Sequence, residues 1–187
     1  MRIIAGKYKN KKIVSKLRGI SLDVKPTTSK VREAVFNIIF NYLEKNDQKV
    51  QNCSFLDLCC GTGAIGIEAI SRGFVPVYFV DQNKDSVALT KYNLSDIENN
   101  NLYTVVKSDV IKLQISLPIL FDVVYLDPPY NSDIIQNMLS YITQFTHPKS
   151  LIMLEISKNP PIIPLNNYHT IAFKDYSNCA ILSLARV

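Results

Sequence analysis

The segment Asp57-Leu-Cys-Cys-Gly61-Thr-Gly63-Ala-Ile-Gly66 places three glycines between a short apolar run and a run of helical periodicity. A glycine-rich turn that follows a strand and opens a helix lets the backbone approach a ligand closely. The spacing G-x-G-x-x-G alone fits a nicotinamide dinucleotide as well as other nucleotide-like cofactors. The residues around this turn must therefore decide between them.

Outward from the turn, short apolar segments alternate with amphipathic ones. We predict strands at 54–58, 75–80, 103–106, 121–126 and 151–155, helices at 64–72, 84–94 and 133–145, and a closing hairpin from 168–173 and 180–185. Nearly continuous apolar runs are typical of strands buried on both faces of a parallel sheet. Ser132 is the predicted N-cap of the third helix. The pattern predicts an α/β fold, a doubly wound sheet with an antiparallel C-terminal edge.

The first fifty residues follow another pattern. Segments 2–5 and 12–14 are short and β-like, and 30–43 has helical spacing after three candidate caps, Thr27, Thr28 and Ser29. We predict that residues 1–50 form a small basic extension, a β-hairpin and a helix, packed on a main domain of residues 51–187.

Charge is distributed unevenly along the chain. Residues 1–32 contain ten Lys or Arg and one acid, a net charge of +9, whereas the remainder carries −4. A basic segment of this kind favours a polyanionic partner, because each Lys or Arg that neutralises a phosphate releases counterions. A solvated charged face would explain the same composition.

Three aspartates indicate which cofactor the turn would bind. Asp57, four residues before the first glycine, suits a cationic ligand with an amino-acid end better than a pyrophosphate. Asp81 follows the second strand, where a carboxylate accepts hydrogen bonds from ribose hydroxyls, and Asp109 follows the third strand, within reach of an adenine amino group. Singly, Asp81 and Asp109 could be ordinary strand-end caps. Together with the turn they favour S-adenosylmethionine over NAD. The predicted cofactor-binding residues are Asp57, Gly61, Gly63, Asp81, Gln82, Asp109 and Val110.

A second motif, Asp127-Pro128-Pro129-Tyr130, directly follows the apolar run 121–126. Two prolines stiffen the loop, and we expect its carbonyls to point outward without partners. The Asp127 carboxylate and the Pro128 carbonyl could accept both N–H groups of an exocyclic amine on a base, orient it and stabilise the charge that it gains. Tyr130 could stack on the base. A plain Pro-rich turn is the alternative. We predict that all four residues are catalytic.

Composition and length fit a single soluble domain, since the 187 residues are 47% hydrophobic and 20% charged. No apolar run suits a membrane span and the N-terminus lacks a signal core, so we expect a cytoplasmic protein without a membrane partner. Cys59 and Cys60 are vicinal and no C-x-x-C pair occurs, which predicts buried reduced thiols and no metal. Neither His147 nor His169 is expected to be catalytic.

The [D/N/S]-P-P-[Y/F] loop combined with a D-x-x-x-G-x-G turn resembles the amino-methyltransferases that act on adenine N6 or guanine N2. Two N-terminal segments, Met1-Arg-Ile-Ile-Ala-Gly-Lys7 and Lys25-Pro-Thr-Thr-Ser-Lys-Val-Arg-Glu-Ala-Val-Phe-Asn37, narrow the likeness. They resemble the RsmD family, the bacterial small-subunit rRNA guanine-N2 methyltransferases, and the likeness spans nearly the whole chain. Departures from the family pattern occur at Cys59 and Cys60 and in the segment 176–179.

The resemblance implies a Rossmann-like class I methyltransferase fold, S-adenosylmethionine as the methyl donor, and a guanine of 16S rRNA as the acceptor. It also implies an assembled or partly assembled 30S subunit as the partner. Nothing in the sequence demands more than a monomer, so we expect one. By motif match, Asp57, Gly61 and Gly63 line the methionine end, while the N-terminal extension contacts RNA and covers the active site. The candidate substrate or RNA contacts are Arg2, Lys7, Lys9, Lys11, Lys12, Thr27, Thr28 and Arg32.

Three alternatives stay open at this point. An adenine-N6 methyltransferase acting on DNA or RNA would use the same tetrapeptide, because either base presents an exocyclic amine. A non-catalytic RNA-binding or ribosome-assembly factor could keep the fold without the chemistry. A nicotinamide oxidoreductase is the third alternative, although no hydride-transfer constellation is visible downstream of the glycine turn.

Overall fold

One seven-stranded sheet organises the computed structural model, which describes residues 1–17, 27–98, 100–110, 112, 117–129, 131–158, 165 and 167–186. The strand order is β3-β2-β1-β4-β5-β7-β6. Strands β1 to β5 are parallel, and β7 is antiparallel to both β5 and β6. The strands are β1 (Phe55–Leu58), β2 (Val77–Asp81), β3 (Tyr103–Lys107), β4 (Phe121–Leu126), β5 (Thr146–Ile156), β6 (Tyr168–Asp175) and β7 (Ala180–Arg186). The predicted doubly wound sheet with its antiparallel edge is confirmed.

Four α-helices in the described part of the chain flank the sheet. They are α1 (Ser29–Lys45), α2 (Ala64–Arg72), α3 (Lys84–Leu94) and α4 (Ser132–Ile142). The predicted N-cap of α4 is wrong. The Asn131 side chain caps the helix instead, accepting from the backbone N of Asp133 at 3.0 Å and of Ile134 at 3.2 Å, because its extended backbone turns the short amide toward those free donors. The helix also ends at Ile142, followed by a 3₁₀ turn, Thr143–Phe145.

Two apolar cores lie on opposite faces of the sheet. Side chains of α1 and α2, such as Phe36 and Ile67, pack on one face with Phe55 and Tyr125. Met138 of α4 belongs to the core of the other face. Every residue of β1 is buried, as predicted for a strand covered on both sides. No helix in the described ranges combines the length and apolarity of a membrane span.

The N-terminal segment, residues 1–17, lies against α2 and α3. Its two predicted strands reduce to a single antiparallel bridge between Arg2 and Lys12. The Glu68 carboxylate accepts from the backbone N of Ile4 and of Ala5 at 2.9 and 3.1 Å. Asn93 of α3 exchanges hydrogen bonds with the backbone of residue 14. These contacts fix the basic segment on helices α2 and α3, whereas a domain boundary at residue 50 stays a prediction.

Candidate active site

A cavity opens where β1 and β4 lie side by side, the point at which the chain order of the parallel strands reverses. Ligands of open α/β sheets bind at this switch point, beyond the carboxyl ends of the strands. The cavity brings together the glycine turn, one catalytic candidate and one residue of the N-terminal region. It is lined by Thr27, Asp57, Cys59, Cys60, Gly61, Thr62, Ala64, Ile65, Tyr125 and Asp127.

The glycine turn is held in a left-handed backbone conformation. Gly61 has φ 54° and Gly63 has φ 74°, while Cys59 adopts φ 61° without being a glycine. A Cβ on Gly63 would lie 2.8 Å from Cγ2 of Thr90, so a side chain does not fit there. Strain of this kind in a residue that lines a cavity is common at functional sites.

Asp57 is buried beneath the turn, 2% exposed. Its Oδ2 accepts from the backbone N of Gly66 at 2.9 Å and so caps the first turn of α2. Burial raises the pKa of Asp57 well above its ordinary value, against the lowering by the Gly66 hydrogen bond, and the neighbouring Asp127 and Asp81 raise the pKa further. A cationic ligand would relieve this crowding of negative charge.

Asp81 ties the end of β2 to the glycine turn. One carboxylate oxygen accepts from the backbone N of Gly61 at 2.9 Å, and the other accepts from the backbone N of Asn83 at 2.8 Å. The next two candidates, Gln82 and Asp109, are neighbours. With the side-chain amide of Gln82 oriented so that its nitrogen faces Asp109, this nitrogen lies 3.1 Å from a carboxylate oxygen and can donate a hydrogen bond to it. Val110 is buried in the apolar core beside them. All four residues sit at the ends of β2 and β3.

The loop after β4 brings Asp127 to the cavity. Its backbone N donates to the carbonyl of Leu58 at 3.4 Å, which joins the loop to the end of β1. The expectation that the proline carbonyls are unpaired is wrong for Pro129, whose oxygen accepts from the backbone N of Asn131 at 2.7 Å as the chain turns into α4. Pro128 is buried and Pro129 exposed. The predicted stacking residue, Tyr130, lies outside the described residues.

Sequence reasoning did not assign a role to a buried pair next to Asp127. The Tyr125 hydroxyl donates to Oε2 of Glu155 at 2.6 Å, and the two residues are 1% and 6% exposed. Burial, followed by the negative charge of Glu155, raises the pKa of Tyr125 well above its ordinary value. The alternation of side chains along an extended chain could have identified Tyr125. It precedes Asp127 by two residues, so both side chains point to the same face of the sheet.

Glu155 lines a second cavity that adjoins the first. Thr27 contributes to both, and the turn between β6 and β7 closes the far side. The lining residues are Thr27, Thr28, Val31, Glu155, Tyr176, Ser177, Asn178 and Cys179. The segment that departs from the RsmD pattern, 176–179, therefore borders the site. Thr28 is the N-cap of α1, and its Oγ1 accepts from the backbone N of Val31 at 3.3 Å.

Two of the predicted RNA contacts, Arg32 and Lys11, make interactions within the protein. Arg32 is fully buried, and its guanidinium donates to the carbonyls of Arg2 and Thr27 at 2.6 and 2.9 Å. Its guanidinium therefore links Arg2 to Thr27 in the interior and is not exposed. Burial lowers the pKa of Arg32. Lys11 is mostly buried, with 15% of its side chain exposed, and pairs with Asp96 at 2.9 Å. Its charge is already matched within the protein.

The remaining basic candidates are exposed. They are Arg2, Lys7, Lys9 and Lys12. A guanidinium nitrogen of Arg2 donates to the carbonyl of Asn10 at 2.7 Å, which steadies the hairpin-like turn. These side chains leave a positively charged surface on the N-terminal segment, available to a polyanion.

Comparisons with known proteins identify a family and related proteins. Residues 1–184 match the family described as Conserved hypothetical protein 95. Ribosomal RNA small subunit methyltransferase D of Haemophilus influenzae is 30% identical, covering 90% of this chain and 84% of its own. The protein of that name from Buchnera aphidicola subsp. Baizongia pistaciae is 27% identical, covering 90% and 83%.

Solved structures show the same fold. The Escherichia coli protein yhhF superposes with a TM-score of 0.77 at 22% identity, covering 100% of this chain and 97% of its own. Protein HI0767 of Haemophilus influenzae gives 0.76 at 24%, covering 100% and 98%. The predicted Rossmann-like class I methyltransferase fold is confirmed.

Proposed function

Because the chain belongs to the RsmD family, matched over residues 1–184, we propose that it transfers a methyl group from S-adenosylmethionine to the exocyclic N2 amine of a guanine in 16S rRNA. The observation that carries this proposal is the position of Asp127, at the end of β4 in the cavity that the glycine turn also lines. The Haemophilus influenzae relative carries the name of a small-subunit rRNA methyltransferase.

The residues of the cavity, together with those at the nearby ends of β2 and β3, fit S-adenosylmethionine. Asp57 lines the cavity, where its buried carboxyl would meet the cationic amino-acid end, and Asp81, with both oxygens positioned by backbone donors, provides acceptors for a ribose. Gln82, Asp109 and Val110 would lie around the adenine ring. When bound, the cofactor supplies an electrophilic methyl group on a sulfonium.

The protein's own contribution to the reaction is to position the amine. The lone pair of an exocyclic amine is delocalised into the base, so the nitrogen is a weak nucleophile. The Asp127 carboxylate and the Pro128 carbonyl accept its two N–H bonds and orient the nitrogen, an effect of proximity and alignment. The same acceptors stabilise the positive charge that develops on nitrogen. Strong base catalysis is not required.

The basic surface would bind the RNA backbone. The exposed Arg2, Lys7, Lys9 and Lys12 contribute charge on one segment. Lys30 and Lys158 add two cations at a cavity of about 410 Å³ beside Thr28 and Tyr176. We place the reaction on an assembled or partly assembled 30S subunit in the cytoplasm, carried out by a monomer with residues 1–50 as the RNA-contacting cover.

Methyl-labelled S-adenosylmethionine and 30S particles from cells that lack the modification test this function. The protein is incubated with both, and the RNA is digested to nucleosides. Label in N2-methylguanosine is the expected result and establishes base, atom and cofactor together. Cofactor binding without any label would contradict the proposed substrate, and absence of cofactor binding would favour a non-catalytic assembly factor.

A second candidate is methylation of adenine N6, whose exocyclic amine the Asp127 loop could hold in the same way, and one relative carries a methyltransferase name without mention of rRNA. The Type II methyltransferase M.VspI of Vibrio sp. is 29% identical over 93 residues, which is 49% of this chain and 22% of its own length. The same digest separates the two functions, because label in N6-methyladenosine would transfer the assignment to adenine.

A further inference from the structure

Glu155 is a buried carboxylate that the methyl-transfer step leaves unused. It is 6% exposed and lines the second cavity with Thr27 and Thr28. Among the described residues, Tyr125 alone donates a hydrogen bond to it, and none of the described Lys or Arg side chains forms an ion pair with it. A carboxylate oxygen has two acceptor positions, so Glu155 keeps acceptor capacity toward the cavity.

The strand register places Glu155 beside Asp127. Leu126, the last residue of β4, pairs with Leu154 of β5, so Asp127, the first residue of the loop, and Glu155 each follow one residue beyond this pair. Neighbouring strands lie about 4.8 Å apart. Side chains at equal register share one face, the face on which Tyr125 also lies. The negative charges of Glu155 and Asp127 both act on Tyr125, so the two acidic residues lie on either side of it where the target base would enter.

Tyr125 fixes the orientation of the Glu155 carboxylate. Its hydroxyl donates to Oε2 at 2.6 Å, and because burial raises the pKa of Tyr125, the phenol stays a donor. The contact uses only part of the acceptor capacity of Glu155. A rigid buried acceptor of this kind discriminates strongly between ligands that bring a donor and ligands that bring a second acceptor.

The two purines differ at the atom next to the exocyclic amine. Guanine carries N1–H beside its N2 amino group, so its Watson–Crick edge presents adjacent donors, whereas adenine has an acceptor at N1 beside its N6 amino group. We propose that Glu155 accepts the N1–H of the target guanine while Asp127 and Pro128 hold its N2 amine. This assignment rests on the proposed function and makes Glu155 the residue that selects guanine over adenine.

The purine 2-aminopurine tests this contact, since it keeps the N2 amine but has an unprotonated N1, and the response of the Glu155→Gln variant separates the N1 contact from the loss of O6. We would prepare 16S rRNA with guanine or 2-aminopurine at the position that the labelled digest maps, and reconstitute it into 30S particles. The wild-type protein is expected to methylate the guanine substrate about 100-fold more efficiently, because the carboxylate and N1 repel each other. Equal efficiencies on the two substrates would overturn the proposal without any variant.

The variant Glu155→Gln sharpens the test. Its carbonyl can still accept from Tyr125 while its amide N–H donates to the N1 of 2-aminopurine, so the guanine preference is expected to fall at least tenfold or to reverse. Glu44→Gln makes the same change at an exposed glutamate of α1 that lines neither cavity, and in this control the preference should not change. A wild-type preference retained by Glu155→Gln would refute the role of Glu155. Failure of the wild-type protein to methylate guanine would count against the proposed function instead.

Discussion

The two walls of the candidate site are built in different ways. On the glycine-turn wall, Asp57 and Asp81 accept hydrogen bonds from backbone N–H groups at 2.9 Å. On the opposite wall, formed by the ends of β4 and β5, Glu155 is held by the Tyr125 side chain. Backbone donors are fixed by the local fold, whereas a side-chain donor depends on packing between distant segments.

Because the two walls are built from different segments, cofactor binding and base binding should respond to different substitutions. The glycine-turn wall lies within residues 57–83, so its charge-assisted hydrogen bonds form with the first two strands. The other wall combines Thr27, Asp127, Glu155 and the turn 176–179, four segments that meet only in the finished fold. Substitutions on the first wall should change cofactor binding, and substitutions on the second should change the handling of the base.

Asp127→Ala is expected to have the largest effect on activity. Removing a group that orients the amine and stabilises its charge should lower kcat by about 10²- to 10³-fold. The dissociation constant for S-adenosylmethionine, measured by calorimetry, should stay within a factor of about three, because the carboxylate acts on the base. Asp133→Ala removes an exposed carboxylate at the start of α4 as a control. Equal losses of cofactor affinity and turnover would contradict the assigned role.

Arg32→Met tests how much the buried guanidinium, which holds Thr27 at the second wall, contributes to the stability of the fold. It leaves the carbonyls of Arg2 and Thr27 without their donor, a loss of about 3 kcal/mol in the free energy of unfolding. Thermal unfolding should shift downward by about 10 °C for a chain of this size. Lys30→Met, exposed on the same helix, should leave the midpoint nearly unchanged. A midpoint unchanged in Arg32→Met would mean that the buried guanidinium stabilises nothing.

Asp81→Ala, on the glycine-turn wall, is expected to reduce the affinity for the cofactor. The backbone N–H groups of Gly61 and Asn83 lose a charged acceptor, and the ribose loses its partner. Cofactor affinity should fall by roughly 10- to 100-fold, the equivalent of one charged hydrogen bond. RNA binding measured without cofactor should not change. Asp85→Asn, in the first turn of α3, is the control. If Asp81→Ala weakened RNA binding and left cofactor affinity unchanged, the assignment of Asp81 to cofactor binding would be wrong.

The smallest expected effect is a difference in RNA binding between variants of two lysines in the N-terminal segment. Lys9 is exposed, whereas Lys11 is paired with Asp96. Lys9→Ala should weaken RNA binding several-fold at low salt and reduce the slope of log affinity against log salt by about one. Lys11→Ala should change that slope by much less. Equal slopes for both variants would show that the Asp96 pair does not withhold Lys11 from RNA.

The sequence predicts those parts that depend on local periodicity. The bounds of α3 and β4 agree with the prediction to the residue, because each is a clear run of one period. β5 begins at Thr146, five residues before the prediction, since a register irregularity after Phe121 lets the polar residues preceding the apolar run join the sheet.

Contacts between distant residues escape this reasoning. Arg32 belongs to a basic stretch and so resembles an RNA contact, but carbonyls 5 and 30 residues away surround it. Glu155 shows no motif of its own, and only the register of β4 and β5 places it beside Asp127. The glycine turn and the Asp127 loop could be predicted because each carries its chemistry within a few consecutive residues.

The anchoring of the N-terminal segment has a consequence for the order of events during synthesis. Its backbone donors are received by Glu68, Ser71 and Asn93, up to 79 residues further along the chain. At the usual pace of translation, the wait for those acceptors lasts roughly 4 to 16 s. During that interval the nascent basic segment is an unfolded polycation at the mouth of a ribosome, and its capture by α2 and α3 ends its exposure to whatever RNA lies nearest.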